Sequence, residues 1–79
     1  MKTQEILREI MFENELSQDK LAKILGVSQK AVSNWLCGKD MPKASSLLAI
    51  YENFGVTPNE LLGIEEIGYR PIKIIKREK

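Results

Sequence analysis

Histidine is absent from this 79-residue chain, and cysteine occurs once, at Cys37. Because histidine is the commonest metal ligand and general base, its absence removes the usual metal and acid–base chemistry. A single cysteine rules out an internal disulfide framework and is typical of a reducing cytoplasm. No apolar run approaches the length of a membrane span or a signal-peptide core. Without a Ser/His pair, paired carboxylates or a glycine-rich phosphate loop, the sequence predicts a soluble, cytoplasmic, non-enzymatic domain with no cofactor and no metal.

Charge is unevenly distributed along the chain, although the net charge is only +1. Residues 1–16 carry −2 and residues 44–69 carry −4, whereas residues 17–43 carry +3 and residues 70–79 carry +4. Such asymmetry suggests that one side of the protein faces a polyanion. On charge alone, the alternative is an ordinary solvated surface of mixed sign.

Five short helices are predicted from the spacing of apolar residues and from the residues that flank them. Ser17, Ser28 and Thr57 are typical N-caps, and a glycine follows most of the apolar stripes. The pattern therefore predicts an all-α domain. The residues predicted to face its core are Ile6, Leu7, Ile10, Met11, Leu21, Ala22, Leu25, Ala31, Val32, Trp35, Leu36, Leu47, Leu48, Ile50, Tyr51, Phe54, Leu61 and Leu62.

The C-terminal stretch follows a different pattern. In YRPIKIIK, Ile72 and Ile74 alternate with Lys73 behind a proline, a period of two that Ile75 interrupts. This pattern predicts either a short edge strand or a loosely ordered basic tail. The chain is accordingly divided into a helical domain over residues 1–63 and a basic tail over residues 64–79.

The second and third predicted helices are joined by a very short connection. Only two residues separate Leu25 from Ser28, so the helices must meet at a steep angle. Ala22 supplies the small residue that such a crossing needs, Gly26 a turn residue that tolerates positive φ, and Val32 a branched anchor. This arrangement is typical of the helix-turn-helix motif, whose second helix can enter the major groove of DNA.

From about Ile6 to Gly63 the chain resembles the lambda-repressor-like, or Cro/Xre-type, helix-turn-helix proteins. The resemblance is carried by LSQDKLAKILGVSQKAVSNWLCGK, by the proline at position 42 and by LLAIYENFGVTPNELLG. It implies a five-helix DNA-binding domain of a transcriptional regulator that acts as a dimer on a palindromic operator. Leu36 and Cys37 depart from the family pattern, which has charged or polar residues there, and suggest an apolar edge that faces a partner.

Eight residues match DNA-contacting positions of that family. The resemblance implies a recognition helix at about residues 28–37, with Gln29 reading a base and bracing Gln18. Gln18 itself matches a phosphate contact, while Lys39 and Lys43 match positions that reach the backbone or the minor groove. Lys43 also stands where a Ser, Thr or Asp often caps the fourth helix. The complete set is Gln18, Ser28, Gln29, Lys30, Ser33, Asn34, Lys39 and Lys43.

Side-chain chemistry favours the same assignment. Glutamine and asparagine pair bidentately with adenine, lysine favours guanine, and one good pair discriminates by about 1–3 kcal/mol. The alternative is that Gln29, Ser33 and Asn34 are only the solvated face of an amphipathic helix. Trp35 lies on the apolar stripe with Val32 and is predicted to belong to the core, not to a base-stacking platform.

The function predicted from the sequence is sequence-specific binding of double-stranded DNA through the major groove by a small transcriptional regulator. Repression is the predicted direction, in a prokaryotic or phage-type setting, with the protein nucleoid-associated when bound and not at a membrane. The alternative is an antitoxin-type module that binds a partner toxin and its own promoter, with the Leu36–Cys37 edge and residues 71–75 as candidate surfaces. A third possibility is a fold that binds no DNA.

A homodimer is also predicted, because a domain of this size buries a modest core and gains from association. Residues 70–76 could pair as an intersubunit strand, but the fourth and fifth helices are favoured because the strand pattern is short. The helical contact residues predicted are Phe54, Val56, Pro58, Leu61 and Leu62.

Overall fold

The computed structural model describes residues 2–68 and 72–74 of the chain. Within these residues there are five helices and no strand, which confirms the all-α prediction. None of the described helices has the length and apolar content needed to cross a membrane. The helices are α1 (Lys2–Glu13), α2 (Gln18–Leu25), α3 (Gln29–Cys37), α4 (Ala44–Phe54) and α5 (Pro58–Leu61).

The helix boundaries lie where the capping residues predict them. The Ser17 hydroxyl accepts a hydrogen bond from the Lys20 amide, and the Thr57 hydroxyl accepts one from the Glu60 amide, both at 3.1 Å. The Glu60 carboxylate in turn accepts from the Thr57 amide at 3.0 Å, which completes a capping box. Lys43 provides no side-chain cap for α4, as its departure from the usual capping residues predicts.

One hydrophobic core joins all five helices and a residue from the C-terminal stretch. Its centre is fully buried, and Trp35 is 4% exposed, so the prediction that this residue is core is confirmed. Ala22 on α2 and Val32 on α3 are 2% and 0% exposed, and both belong to the core against which the two helices pack. The core residues are Ile6, Leu7, Ile10, Leu21, Ala22, Leu25, Val32, Trp35, Leu36, Ile50, Phe54, Val56, Leu61 and Ile72.

Three apolar residues predicted to face inward do not. Leu48 and Tyr51 on α4 are 55% and 47% exposed, and Leu62 after α5 is 42% exposed. The buried stripe of α4 contains polar residues instead, since Ser46 and Asn53 are 5% and 6% exposed. The Asn53 amide donates to the Ala49 carbonyl at 2.9 Å, which satisfies this polar side chain within its own helix. An apolar face is therefore left on the outside of α4.

The stretch after α5 runs along α1 and is called the strap here (residues 64–68 and 72–74). Gly63, the residue before it, lies beside Lys2, since a Cβ on Gly63 would be 3.1 Å from the Lys2 Cβ. The strap ends at Asn14, whose amide donates to the Ile72 carbonyl at 2.9 Å and whose carbonyl accepts from the Ile74 amide at 3.1 Å. Ile72 is 3% exposed and forms part of the core.

The contacts of the strap bear on the predicted intersubunit strand. The described part, residues 72–74, forms no strand, and its backbone bonds to Asn14 of the same chain. The Lys73 ammonium donates to the Glu13 carbonyl at 3.1 Å and lies 3.7 Å from the Glu13 carboxylate. Residues 70, 71, 75 and 76 of the predicted strand lie outside the described residues. The Ile72 carbonyl and the Ile74 amide are therefore occupied within their own protomer.

Candidate nucleic-acid interface

The turn between α2 and α3 brings the two helices across each other within three residues. Gly26 ends α2 with φ of 74°, a left-handed conformation that a side chain would strain. The Val27 amide then donates to the Ala22 carbonyl at 3.0 Å, which closes the helix end. Ser28 begins α3 at once, its hydroxyl accepting from the Ala31 amide at 3.1 Å. The predicted helix-turn-helix geometry is therefore present.

Helix α3 has one face in the core and the opposite face outside. Val32, Trp35 and Leu36 are its buried residues. Gln29 and Lys30 are exposed, and Ser33 and Asn34 are half-buried along the same outward side. Because the apolar contacts hold one face of α3 against α1 and α2, the polar row is held outward on a rigid support. The outward residues are Gln29, Lys30, Ser33 and Asn34.

The predicted DNA-binding residues form a continuous surface. Six of the eight line one shallow depression in front of α2 and α3, with Cys37 at its edge. A neighbouring depression between α3 and the start of α4 contains the other two, Ser28 and Lys43. Lys30 and Asn34 line both depressions and so join them. The six residues of the first depression are Gln18, Gln29, Lys30, Ser33, Asn34 and Lys39.

The second depression also includes two residues that the sequence did not indicate. Met41 and Ser45 lie along it beside Lys43, and Met41 is 39% exposed. The position of Ser45 could be inferred from the sequence, because this residue follows Lys43 in the first turn of α4. The position of Met41 could not be inferred, because it depends on the loop that joins α3 to α4.

The electrostatic character of this surface comes from lysines that line its two depressions. Lys30, Lys39 and Lys43 are all exposed. The carboxylate of Asp40, the acidic residue in the second depression, accepts from the Met41 amide at 3.0 Å. Lys23 on α2 lies 3.5 Å from Asp19 in an exposed pair that stabilises the helix by about 0.3–0.5 kcal/mol. The surface around α3 thus remains cationic.

The predicted apolar edge at Leu36 and Cys37 is wrong for Leu36. That side chain is 9% exposed and packs in the core, so it offers no surface to a partner. Cys37 is exposed, and its thiol donates to the Ser33 carbonyl at 2.9 Å. Among the described residues, no group of three His, Cys, Asp or Glu side chains is arranged to hold a metal ion.

The chain belongs to the helix-turn-helix domain family, whose model matches residues 5–66. It is similar to the HTH-type transcriptional activator BcrR of Enterococcus faecalis, with 40% identity over 67 residues. The match covers 85% of this chain and 33% of that protein, so the chain spans about a third of the length of this curated relative. No solved structure was found to match the chain.

Proposed function

We propose that this domain binds double-stranded DNA in a sequence-specific manner and regulates transcription. The observation that carries the proposal is the outward polar row of α3, held on a buried face and flanked by exposed lysines. An α-helix fits the major groove, where amide and lysine side chains can distinguish base pairs. Membership of the helix-turn-helix family and the similarity to a named transcriptional activator support the same function.

The eight residues divide between base reading and phosphate contact. Gln29, Lys30 and Asn34 carry the donor and acceptor patterns that read base edges, and Ser33 lies in the same depression. Ser28 accepts one amide through its oxygen, so its hydroxyl hydrogen remains available to a phosphate oxygen. The set proposed for phosphate contact is Gln18, Ser28, Lys39 and Lys43.

The finer assignment proposed is a lambda-repressor-like, Cro/Xre-type regulator that binds a palindrome as a dimer. A symmetric dimer would place two recognition helices about 34–36 Å apart, one turn of B-DNA. Phe54, Val56 and Leu61 are at most 2% exposed, so they are committed to the protomer's own core and are withdrawn from the proposed contact. Pro58 and Leu62 are exposed and stay in the proposed contact. The exposed pair Leu48 and Tyr51, three residues apart on one face of α4, replaces the three buried residues.

The dimer contact predicts a shift in oligomeric state. The double substitution Leu48→Glu with Tyr51→Glu should yield a monomer at micromolar concentration, because it places charge on the proposed contact without disturbing the core. Phe12→Glu is the matched control, since Phe12 is 81% exposed on α1. Sedimentation with and without DNA measures the effect. A wild-type protein that stays monomeric on DNA would remove the palindromic operator from the proposal.

Selection of bound sequences from a random duplex pool, at a stated salt concentration, is the direct test of DNA recognition. An inverted repeat containing adenine or guanine at the contacted positions is the expected result. Enrichment of no sequence would contradict the proposed specificity.

The phosphate contacts predict a change in salt dependence. Replacing Lys39 and Lys43 with alanine should reduce the slope of log affinity against log salt by about 0.9 for each phosphate that the variant no longer neutralises. Lys2→Ala is the control, because Lys2 lies beside Gly63 and lines neither of the two depressions. Equal slopes for the double variant and the control would show that these lysines do not contact phosphate.

The direction of regulation is a separate question. Repression is predicted from the sequence, whereas the name of the Enterococcus relative specifies activation. A reporter gene placed behind the selected site distinguishes repression from activation. Adding the protein should lower expression if it is a repressor and raise expression if it is an activator.

The antitoxin-type alternative loses much of the surface on which it was based. Leu36 is buried in the core, and so is Ile72 within residues 71–75. Ile74 is 45% exposed, and residues 71 and 75 lie outside the described part of the chain. No contact of the described residues favours this alternative over DNA recognition.

A further inference from the structure

The C-terminal end of α3 is held by two side chains of α1. Gln4 donates from its amide nitrogen to the Leu36 carbonyl at 3.1 Å, and Arg8 donates from its guanidinium to the same oxygen at 3.0 Å. The two donors are four residues apart, so they lie on one face of α1. Neither residue lines the depressions that contain the DNA-binding residues. We call these two side chains and the carbonyl that they share the clamp.

The Leu36 carbonyl needs such partners because of how α3 ends. The amide of Gly38 donates to the Trp35 carbonyl, and the amides of Lys39 and Asp40 donate to the Asn34 carbonyl. The turn therefore closes without using the Leu36 oxygen, which is one of the carbonyls that a helix end leaves without an intrahelical donor. Helix α3 has no basic residue in its last turn, so Arg8 supplies the positive charge that its dipole favours there.

Because Gly38 has no side chain, there is room beside it for the Gln4 side chain of the clamp. Its φ of 80° already favours glycine, and a Cβ at this position would lie 2.8 Å from the Gln4 amide nitrogen. Such a Cβ would push the Gln4 amide away from the position from which it donates to Leu36. Gly26 has a similar φ of 74°, and a Cβ there would have nothing within 4 Å, so Gly26 provides the natural comparison.

We propose that Gln4 and Arg8 are positioning residues for DNA recognition: they fix the end of α3, and thereby the placement of Asn34 and Lys39, without contacting DNA. This inference rests on the proposed function. Base contacts tolerate small displacements poorly because they depend on hydrogen-bond geometry. Non-specific binding depends mainly on charge near phosphates and tolerates them well. Loss of the clamp should therefore lower specific affinity selectively.

The test compares specific and non-specific DNA affinity in clamp variants. Gln4→Met with Arg8→Met should weaken binding to the selected site about tenfold, the scale expected from one to two hydrogen bonds. The affinity of the double variant for an unrelated duplex should fall less than twofold, once the loss of the Arg8 charge is allowed for. The substitution Arg8→Lys keeps that charge. Arg8→Lys should restore most of the specific affinity because lysine can also donate to the carbonyl. Glu5→Gln, at an exposed neighbouring position of α1, is the control.

A second readout requires no DNA. Amide hydrogen exchange in the last turn of α3 should be faster in the clamp variant than in the Glu5→Gln control, because the helix end opens more often. Hydrogen exchange that is the same in the clamp variant and the control would overturn the inference. Where the wild type selects a sequence, an equal ratio of specific to non-specific affinity in the clamp variant and the wild type would also overturn it. If the wild type selects no sequence but exchange changes as expected, the proposed function fails while the clamp itself stands.

A double-mutant cycle isolates the contact between Gly38 and Gln4. Gly38→Ala should lower the melting temperature more than Gly26→Ala does, because both strain φ but only Gly38→Ala displaces Gln4. In a Gln4→Ala background the two alanine substitutions should have equal effects. Equal effects in the wild-type background would show that Gly38 does not protect the clamp.

Discussion

Replacing Gln29 and Asn34 with alanine should abolish most sequence-specific DNA binding while leaving the melting temperature unchanged. Gln29 is exposed and Asn34 half-buried on the outward face of α3, where both line the same depression. Each bidentate amide–adenine pair contributes about 1–3 kcal/mol of discrimination, so losing both lowers affinity for the preferred site by a factor on the order of 100. Alanine is a better helix former than either residue, so α3 should persist.

The measurement is a titration of the selected duplex and of an unrelated duplex, paired with thermal unfolding. Affinity for the unrelated duplex should stay close to wild type, because the lysines that contact phosphate are unchanged. Asn59→Ala is the matched control, an exposed asparagine on α5. Wild-type affinity for the selected duplex in the double variant would contradict direct reading of bases by α3. A drop in melting temperature would instead attribute the loss of binding to unfolding.

The sequence predicted most of the fold because the determinants of α2 and α3 are local. Ser17 and Ser28 cap their helices as expected, and Gly26 takes the left-handed conformation that its position predicts. These features depend on residues within a few positions of one another, which is the range over which capping and periodicity act. The outward position of Asn34 follows from the same spacing, since it is fixed by the buried positions of Val32 and Trp35.

Features that depend on distant partners were not predictable in the same way. The outer face of α4 is an example, because a helix that is apolar around most of its circumference does not reveal which side packs. Leu48 and Tyr51 are outside because Ser46 and Asn53 occupy the buried stripe. The clamp was missed for a related reason: the contact between Arg8 and the Leu36 carbonyl spans 28 positions and uses a backbone atom, which leaves no trace in side-chain patterns.

The second large expected effect is a loss of stability when a buried residue of the strap is substituted. Ile72→Ala should destabilise the domain by about 2–4 kcal/mol, because it removes buried methyl groups from a packed site. For a domain of this size the melting temperature falls about 4–8 °C for each kcal/mol. Ile72 is 3% exposed, whereas Ile74, two residues later, is 45% exposed and provides a control with the same side chain. Ile74→Ala should change stability by less than about 0.5 kcal/mol.

Asn14 provides an independent test of the strap from the other side of the contact. Its amide donates to the carbonyls of Ile10 and Ile72, and its oxygen accepts from the Ile74 amide. Asn14→Ala should therefore destabilise the domain, and its effect should be non-additive with that of Ile72→Ala because both loosen the same segment. We propose on this basis that the folding unit extends to residue 74. If Ile72→Ala and Ile74→Ala have equal, small effects, the unit ends near Gly63, as the sequence predicts.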